Sequence, residues 1–451
     1  MLIKKIIFTK INLINFLISL FPLSLIIGNL AININIVLVC ALGLPIYGMK
    51  ILQVNKKIYQ YLIYSFFLYI ILITLVKNLP NLNVSDLYQE HIIKSFLFLR
   101  FLILFLVINK LFEKNEFNLK LFFASCAFFS FIVSIDILIQ LVFGQDLIGN
   151  TGIDNHLSGF FGDELIAGGY VQKFSLFFIF FIFVNFFNNN NFNTKFYQIS
   201  LFFIFLIIVI LTGNRMSVLL YLFSIFVFFL MEKKFKEILI LITLFSALIF
   251  LSLKYFLIVD PQSINSRFDH RVKNFYGSTV DIFLKAPKLF YFNSIDDEEI
   301  TEVVPGYSVH SLGSSGYLIH LNSGVQVFKK NKIFGGGLKS FRLNCKYGKN
   351  QTCNTHPHNY LIEILVDTGI LGLTLIYLIF ISAAVNFIRL YNQNLNSHYR
   401  FLGVPFFLII FFEFFPLRST GSFFTTGVAV IIFLSLPILI NASKFILPKK
   451  L

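Results

Sequence analysis

Residues 335–372 read GGGLKSFRLNCKYGKNQTCNTHPHNYLIEILVDTGILG, a polar segment with clustered Gly, Cys, His and Arg that runs directly into an apolar helix. Pro357 fixes its own φ and disfavours helical geometry at His356, so a helix is expected to begin at His358 or just after it. His358 would then lie at the membrane surface in the first helical turn, where free N–H groups favour an anion. A neutral imidazole at that point can take a proton from a hydroxyl while a phosphate lies beside it.

The composition of the whole chain indicates a membrane protein. Its 451 residues are 57% hydrophobic and 13% charged, with a mean hydropathy of +0.79, which excludes an ordinary soluble enzyme. The formal net charge is +15, but the Lys and Arg residues fall mainly in short segments between apolar runs, which is a signal of topology. We therefore expect an all-α polytopic membrane protein without a nucleic-acid partner.

The apolar runs predict about twelve spans, each of about 17–25 residues. They lie at roughly 11–30, 32–49, 58–77, 91–109, 118–143, 165–187, 196–212, 214–231, 236–258, 358–388, 400–416 and 421–441. An even number of spans places both termini on one side, and the lysines near both ends favour the cytoplasm. Residues 1–258 are thus expected to hold nine spans, 259–357 a large periplasmic loop and 358–451 three more spans. Within the loop, residues 315–327 read as an amphipathic helix suited to the membrane surface.

Two cysteines lie in the predicted loop. Cys345 and Cys353 stand eight residues apart in a polar segment outside the cytoplasm, where a disulfide persists. A zinc site with His356 and His358 is the alternative. The C-x7-C-x2-H-x-H spacing differs from standard zinc signatures, so the disulfide is favoured.

Two spaced residue pairs carry a family resemblance. His358 with Gly369 ten intervening residues later, and Arg215 with Leu219 three intervening residues later, resemble the two short motifs of the bacterial O-antigen ligase and polymerase superfamily. The resemblance is strong over residues 335–380, moderate at 159–173 and 211–219, and architectural elsewhere. It implies a bundle similar to the GT-C-type membrane glycosyltransferases that use lipid-linked donors.

The resemblance implies roles for two residues. His358 would be the general base on an acceptor hydroxyl, and Arg215 would hold a pyrophosphate through its planar guanidinium. An interfacial or capping histidine and an arginine reaching lipid headgroups are the alternative interpretations. The superfamily also has an arginine in the large loop; none stands at the matching place near 317–320, and Arg267 and Arg271 are the substitutes.

Further residues are candidates for substrate binding. Arg342 would bind phosphate or sugar, His356 would support His358, and Asn359 would orient its neighbour. Lys173 belongs to a segment that resembles a family element, and Arg100, in the fourth predicted span, is expected to line a cleft for the anionic lipid. The glycines at 335–337 would either cradle phosphate oxygens or form a simple turn.

The reaction implied by the resemblance transfers a glycan from undecaprenyl pyrophosphate to a sugar hydroxyl of lipid A-core, with inversion. No metal or cofactor is expected, because arginines would stabilise the departing pyrophosphate. Polymerisation onto another lipid-linked glycan uses the same donor and remains the alternative. A transporter or flippase of the lipid-linked glycan is an alternative of another class. The expected location is the bacterial inner membrane, with the site facing the periplasm.

Overall fold

The computed structural model describes residues 10–53, 58–152, 156–186, 192–233, 302–304, 307–308, 316–345, 353–394, 397–415, 418 and 421–446. The predicted span at 236–258, together with Arg267 and Arg271, lies outside the described residues. The α-helices are α1 Lys10–Ser19, α2 Phe21–Ile27, α3 Asn29–Tyr47, α4 Ile58–Asn78, α5 Asp86–Leu97, α6 Leu99–Glu113, α7 Leu119–Phe143, α8 Ala167–Phe186, α9 Phe192–Leu211, α10 Arg215–Met231, α11 Gly316–Lys330, α12 Phe341–Asn344, α13 Tyr360–Gln393, α14 Val404–Glu413, α15 Thr426–Ile440 and α16 Ser443–Ile446.

Short elements complete this list. The 3-10 helices are Gly48–Leu52, Leu79–Asn81, Gly159–Phe161 and His398–Gly403. Two short strands, β1 Glu302–Val304 and β2 Tyr307–Ser308, pair antiparallel and are a small departure from the all-α expectation.

Among the described residues, six helical stretches are long and apolar enough to cross a membrane, or up to seven if the bent pair α1 and α2 counts as one span. The six stretches are Asn29–Leu52, Ile58–Asn81, Asp86–Glu113, Leu119–Phe143, Ala167–Asn185 and Tyr360–Gln393. The pair α1 and α2 bends by 47°, and Pro22 in the first turn of α2 accounts for the break. These helices make the chain a polytopic helical membrane protein.

Three more predicted spans correspond to shorter apolar helical stretches of 10–17 residues within the described residues. They are Ile199–Leu211, which is the C-terminal part of α9, Arg215–Met231 and Thr426–Ile440. The run predicted at 400–416 contains a 3-10 helix followed by the ten-residue α14, because Pro405 favours a helix start at that point.

The chain divides into two compact units. The first contains residues 1–129, 176–194 and 320–451, and the second contains 130–175 and 195–319. In the first unit α13 packs on α4, and α15 packs on α6. Aromatic rings fill this core: the Phe67 and Phe433 centroids lie 5.1 Å apart, and Phe98 stacks on Phe67 at 5.4 Å. Such rings supply large apolar areas without polar atoms.

The second unit contains a close approach between α8 and the turn before α10. A Cβ on Gly168 would lie 2.4 Å from Thr212 Oγ1, so only glycine permits this spacing. The side chain of Asn214 caps α10 by accepting a hydrogen bond from the Ser217 N–H at 3.3 Å, and its amide donates to the Leu165 carbonyl at 3.2 Å. These contacts fix the backbone around Arg215.

Candidate active site

His358 lies just before α13 rather than within its first turn. Asn359 is the N-cap, its side-chain oxygen accepts from the Ile362 N–H at 3.0 Å, and the helix begins at Tyr360. The helix starts later than expected because Asn359 supplies a cap that an imidazole cannot. His358 takes a φ of +54°, a left-handed conformation that is uncommon for residues other than glycine. Such backbone outliers are enriched at functional sites.

Three imidazoles meet at this point, and His320, His356 and His358 are called the histidine cluster below. The ring centroid of His358 lies 4.3 Å from that of His356 and 4.7 Å from that of His320. The amide of Asn354 donates to His358 Nε2 at 3.2 Å, and Thr355 Oγ1 lies 2.8 Å from His356 Nδ1. Because an amide N–H donates to it, Nε2 of His358 carries the free electron pair. A substrate hydroxyl in the place of this amide would meet a basic nitrogen.

Helix α11 brings His320 into the cluster. Its Val327 packs with Phe341 and Val366 in a small apolar core. A Cβ on Gly324 would lie 2.4 Å from Ile362 Cγ2 and 3.0 Å from Pro357 Cβ, so this glycine allows α11 to press on the start of α13. His320 is one helical turn earlier and therefore shares that face. The amphipathic helix expected at 315–327 is present, with its inner face packed on protein.

Burial keeps the cluster neutral. The pKa of His356 falls to about 4, mainly because desolvation penalises the charged imidazole. The pKa of His358 is also lowered from 6.5, first by desolvation and then by the charge that His320 would carry, while Glu363 opposes the shift. Desolvation lowers the pKa of His320 as well. At neutral pH the three rings are therefore uncharged, which is the form that accepts a proton.

The glycines at 335–337 hold a break in α13. Gly369 has φ 65° and ψ −169°, which interrupts the helical backbone. The N–H groups of Gly336 and Gly337 donate to the carbonyls of Val366 and Asp367, both at 2.9 Å. The Gly335 N–H donates to the Asn331 carbonyl at 2.9 Å. Because these donors already have partners, the structure favours the turn over the phosphate cradle for this segment.

A buried ionic network lies next to that turn. Lys339 Nζ lies 3.3 Å from Glu363 Oε1 and donates to Ser422 Oγ at 2.9 Å. The carboxylate of Asp367 accepts from the N–H groups of Lys339 and Ser340 at 2.8 and 3.0 Å. Lys339, Glu363 and Asp367 are 9%, 2% and 0% exposed, so each of these buried polar side chains depends on its partners.

Cys345 and Cys353 form a disulfide, with Cα atoms 5.7 Å apart. Each sulfur is bonded to the other, so neither is a thiolate ligand for the zinc alternative. Arg342 is exposed and its Nε donates to the Thr355 carbonyl at 3.3 Å, which ties α12 to the segment that carries the histidine cluster. Arg342 thus lies beside the cluster.

Arg100 and Asn359 are both held by contacts with other parts of the protein. Arg100 donates to Thr426 Oγ1 at 3.2 Å and lies over the Phe101 ring at 4.7 Å, so it joins α6 to α15. Asn359 is 5% exposed and its amide donates to the Arg418 carbonyl at 3.0 Å, which adds a structural contact to its capping role.

Arg215 and Lys173 belong to the second unit. Arg215 is the first residue of α10 and is exposed, whereas Lys173, in α8, is 8% exposed. A Cβ on Gly169 would lie 3.6 Å from Ser217 Oγ, and Lys173 is one turn further along α8 on the same face. The two cations therefore belong to neighbouring elements of that unit.

Sequence reasoning missed His320, Lys339 and Glu363 as members of the site. An acidic residue near the start of a long apolar helix is a signal that Glu363 has a partner. Lys339 lies two residues after Gly337, and His320 stands at the place where the superfamily arginine was expected. These three residues come together only because α11 and the turn at 335–337 pack on α13.

The helical stretches and this site define a multi-pass membrane protein with a histidine-containing site at the start of a long apolar helix. Residues 200–377 match the family model described as O-antigen ligase, which supports the resemblance of this segment to the O-antigen ligase-like superfamily. The matched segment contains Arg215, the histidine cluster, the disulfide and Gly369. No curated protein matches the chain.

Proposed function

We propose that this protein is a glycosyltransferase of the inner membrane that transfers a glycan from undecaprenyl pyrophosphate to a sugar hydroxyl of lipid A-core. The observation that carries the proposal is His358, held in a left-handed backbone conformation before α13, within a segment that matches the O-antigen ligase family. Members of this family are ligases and polymerases, so a lipid-linked glycan is the alternative acceptor.

In this reaction His358 takes the proton of the acceptor hydroxyl at Nε2. The acceptor oxygen bonds to the anomeric carbon from the face opposite the pyrophosphate, so the configuration inverts. The bond from the anomeric carbon to the pyrophosphate oxygen breaks, and its electron pair leaves with the pyrophosphate. Arg215 would stabilise that developing charge through two parallel N–H donors, without a metal or cofactor.

The other candidate residues take binding roles in this proposal. Arg342 would contact the glycan or phosphate beside the histidine cluster, and Lys173 would add positive charge near Arg215. Arg267 and Arg271 are proposed as loop contacts to the donor, and Arg100 as a contact to the lipid phosphate. His356 supports His358 by ring contact.

The topology that suits this function has about twelve spans in a GT-C-like arrangement. Both termini would be cytoplasmic, with residues 259–357 as a periplasmic lid, because lysines dominate the predicted inner segments. The site would then face the periplasm.

The test uses cells that express His358→Ala or Arg215→Ala at normal protein level, with His398→Ala as a matched histidine control away from the cluster. We expect both site variants to lose glycan from the surface, as seen by gel electrophoresis, while lipid-linked precursor accumulates on the outer face. The control should retain the wild-type pattern. Precursor trapped on the inner face would indicate a flippase and contradict the proposal.

A further inference from the structure

Glu363 is a buried, hydrogen-bonded group close in sequence to His358. It lies in the first turn of α13, five residues after His358, and is 2% exposed. Its Oε1 accepts from Ser422 Oγ at 2.6 Å and faces Lys339 Nζ at 3.3 Å, while its Oε2 accepts from the Phe423 N–H at 2.6 Å. Three donors hold this carboxylate in one position.

The donors come from two separate segments. Lys339 follows the glycine turn, and its own N–H is bonded to Asp367 on α13. Ser422 and Phe423 precede α15. Glu363 therefore joins both segments to the helical turn that directly follows His358. Removing the carboxylate would leave the Ser422 hydroxyl and the Phe423 N–H without this acceptor, and would leave Lys339 with only its bond to Ser422 Oγ.

Glu363 also favours a positive charge on two histidines of the cluster. His320 opposes a positive charge on His358, and Lys339 and Arg342 oppose one on His356. Glu363 acts in the opposite direction on both His356 and His358, and among the described residues it is the carboxylate that does so. The imidazolium formed on His358 during catalysis is thus opposed by His320 and favoured by Glu363.

We propose that Glu363 is a positioning residue for the glycosyl transfer, which holds the turn behind His358 and supports the imidazolium formed when His358 takes the acceptor's proton. This inference rests on the proposed function. Glu363 does not touch the substrate in this account, because its two oxygens are occupied by protein donors. It acts through His358.

The test measures the basicity of His358 without any substrate. The full-length protein in lipid nanodiscs is treated with diethyl pyrocarbonate, which modifies neutral imidazoles, over a series of pH values. Tandem mass spectrometry separates modification of His358 from that of His356. The pH at which the rate is half-maximal reports the pKa of His358.

For Glu363→Gln we expect this midpoint to fall by roughly half a pH unit, because a negative charge near the imidazolium is removed. Glu363→Asp retains the charge and should stay near the wild-type midpoint. A purely structural role would open the site, so the midpoint would rise toward 6.5, the value of an exposed histidine. An unchanged or raised midpoint in Glu363→Gln overturns the inference.

If Glu363→Gln fails to fold, a second variant tests whether the charge of Glu363 acts on His358. Lys339→Met removes the cation that partly neutralises Glu363, so the midpoint should rise while the disulfide remains formed. A fall in the Lys339→Met midpoint overturns the inference.

Activity measurements separate this inference from the proposed function. We expect Glu363→Gln to lower kcat and to move the acid limb of the pH–rate profile to lower pH, in step with the labelling midpoint. A fully active His358→Ala would refute the proposed base, whatever the labelling shows. An inactive His358→Ala together with an unmoved acid limb in Glu363→Gln would refute only the role of Glu363.

Discussion

Replacing Gly369 by alanine tests how the break in α13 is held. The backbone at Gly369, with φ 65° and ψ −169°, belongs to a region that is essentially restricted to glycine, so a Cβ there costs about 1–3 kcal/mol. The added Cβ would also lie 2.2 Å from the Ile333 carbonyl oxygen. That carbonyl accepts from the Leu371 N–H at 3.2 Å, so moving it away weakens the contact between the turn and the helix.

The close contact between the added Cβ and the Ile333 carbonyl oxygen lowers the free energy of unfolding further. Overpacking of a buried site typically costs about 1–3 kcal/mol, so Gly369→Ala should destabilise the protein by roughly 2–6 kcal/mol in total. Gly28→Ala is the matched control, because Gly28 has φ 118° and ψ −174° but no atom within 4 Å of its would-be Cβ. The control should lose only about 1–3 kcal/mol.

The assay is unfolding of the purified protein in mixed micelles, followed by circular dichroism. We expect Gly369→Ala to unfold at a lower denaturant concentration than Gly28→Ala, and both to unfold below wild type. Equal stability of Gly369→Ala and Gly28→Ala would show that the segment at 333–335 leaves room for a Cβ on residue 369. The break in α13 would then not depend on contact between Gly369 and that turn.

Three further predictions concern the site. Cys345→Ser should lower the free energy of unfolding by about 2–3 kcal/mol, because it opens a short disulfide loop. The double variant with Cys353→Ser should lose no more than that, and a single variant as stable as wild type would contradict this prediction. Asn359→Ala should be about 1 kcal/mol less stable than Asn359→Asp, because both variants lose the amide bond to the Arg418 carbonyl but only Asp keeps an N-cap acceptor; equal losses in thermal unfolding would argue against capping. The transfer rate should fall only as the pH drops below 6.5, through the lowered pKa of His358, because the base must be deprotonated. An acid limb at or above pH 6.5 would contradict the burial of that ring.

Local patterns predicted much of the fold. Long apolar runs gave the candidate spans, because a helix that faces lipid needs a continuous apolar sequence. The helix start after Pro357 was predicted to within two residues, and the missing detail was the cap at Asn359. The shorter α14 was not foreseen, since hydropathy does not report where Pro405 and a 3-10 turn divide an apolar run.

The site was less accessible from sequence. The spacing of His358 and Gly369 marked one segment, but it did not show that Gly369 contacts the turn at 335–337. Contacts between distant segments, such as His320 with His358 and Lys339 with Glu363, depend on how α11 and the turn pack on α13. Periodicity describes one helix face at a time and gives no partner for it.

The most direct test of the proposed chemistry is transfer by the purified protein in nanodiscs. Undecaprenyl-pyrophosphate-linked glycan and lipid A-core are supplied without added metal, and both the glycosylated product and released undecaprenyl pyrophosphate are measured. We expect wild type to form the two products in equal amounts and His358→Ala to form neither, with the donor intact. Equal product formation by wild type and His358→Ala would contradict the assignment of this imidazole as the base.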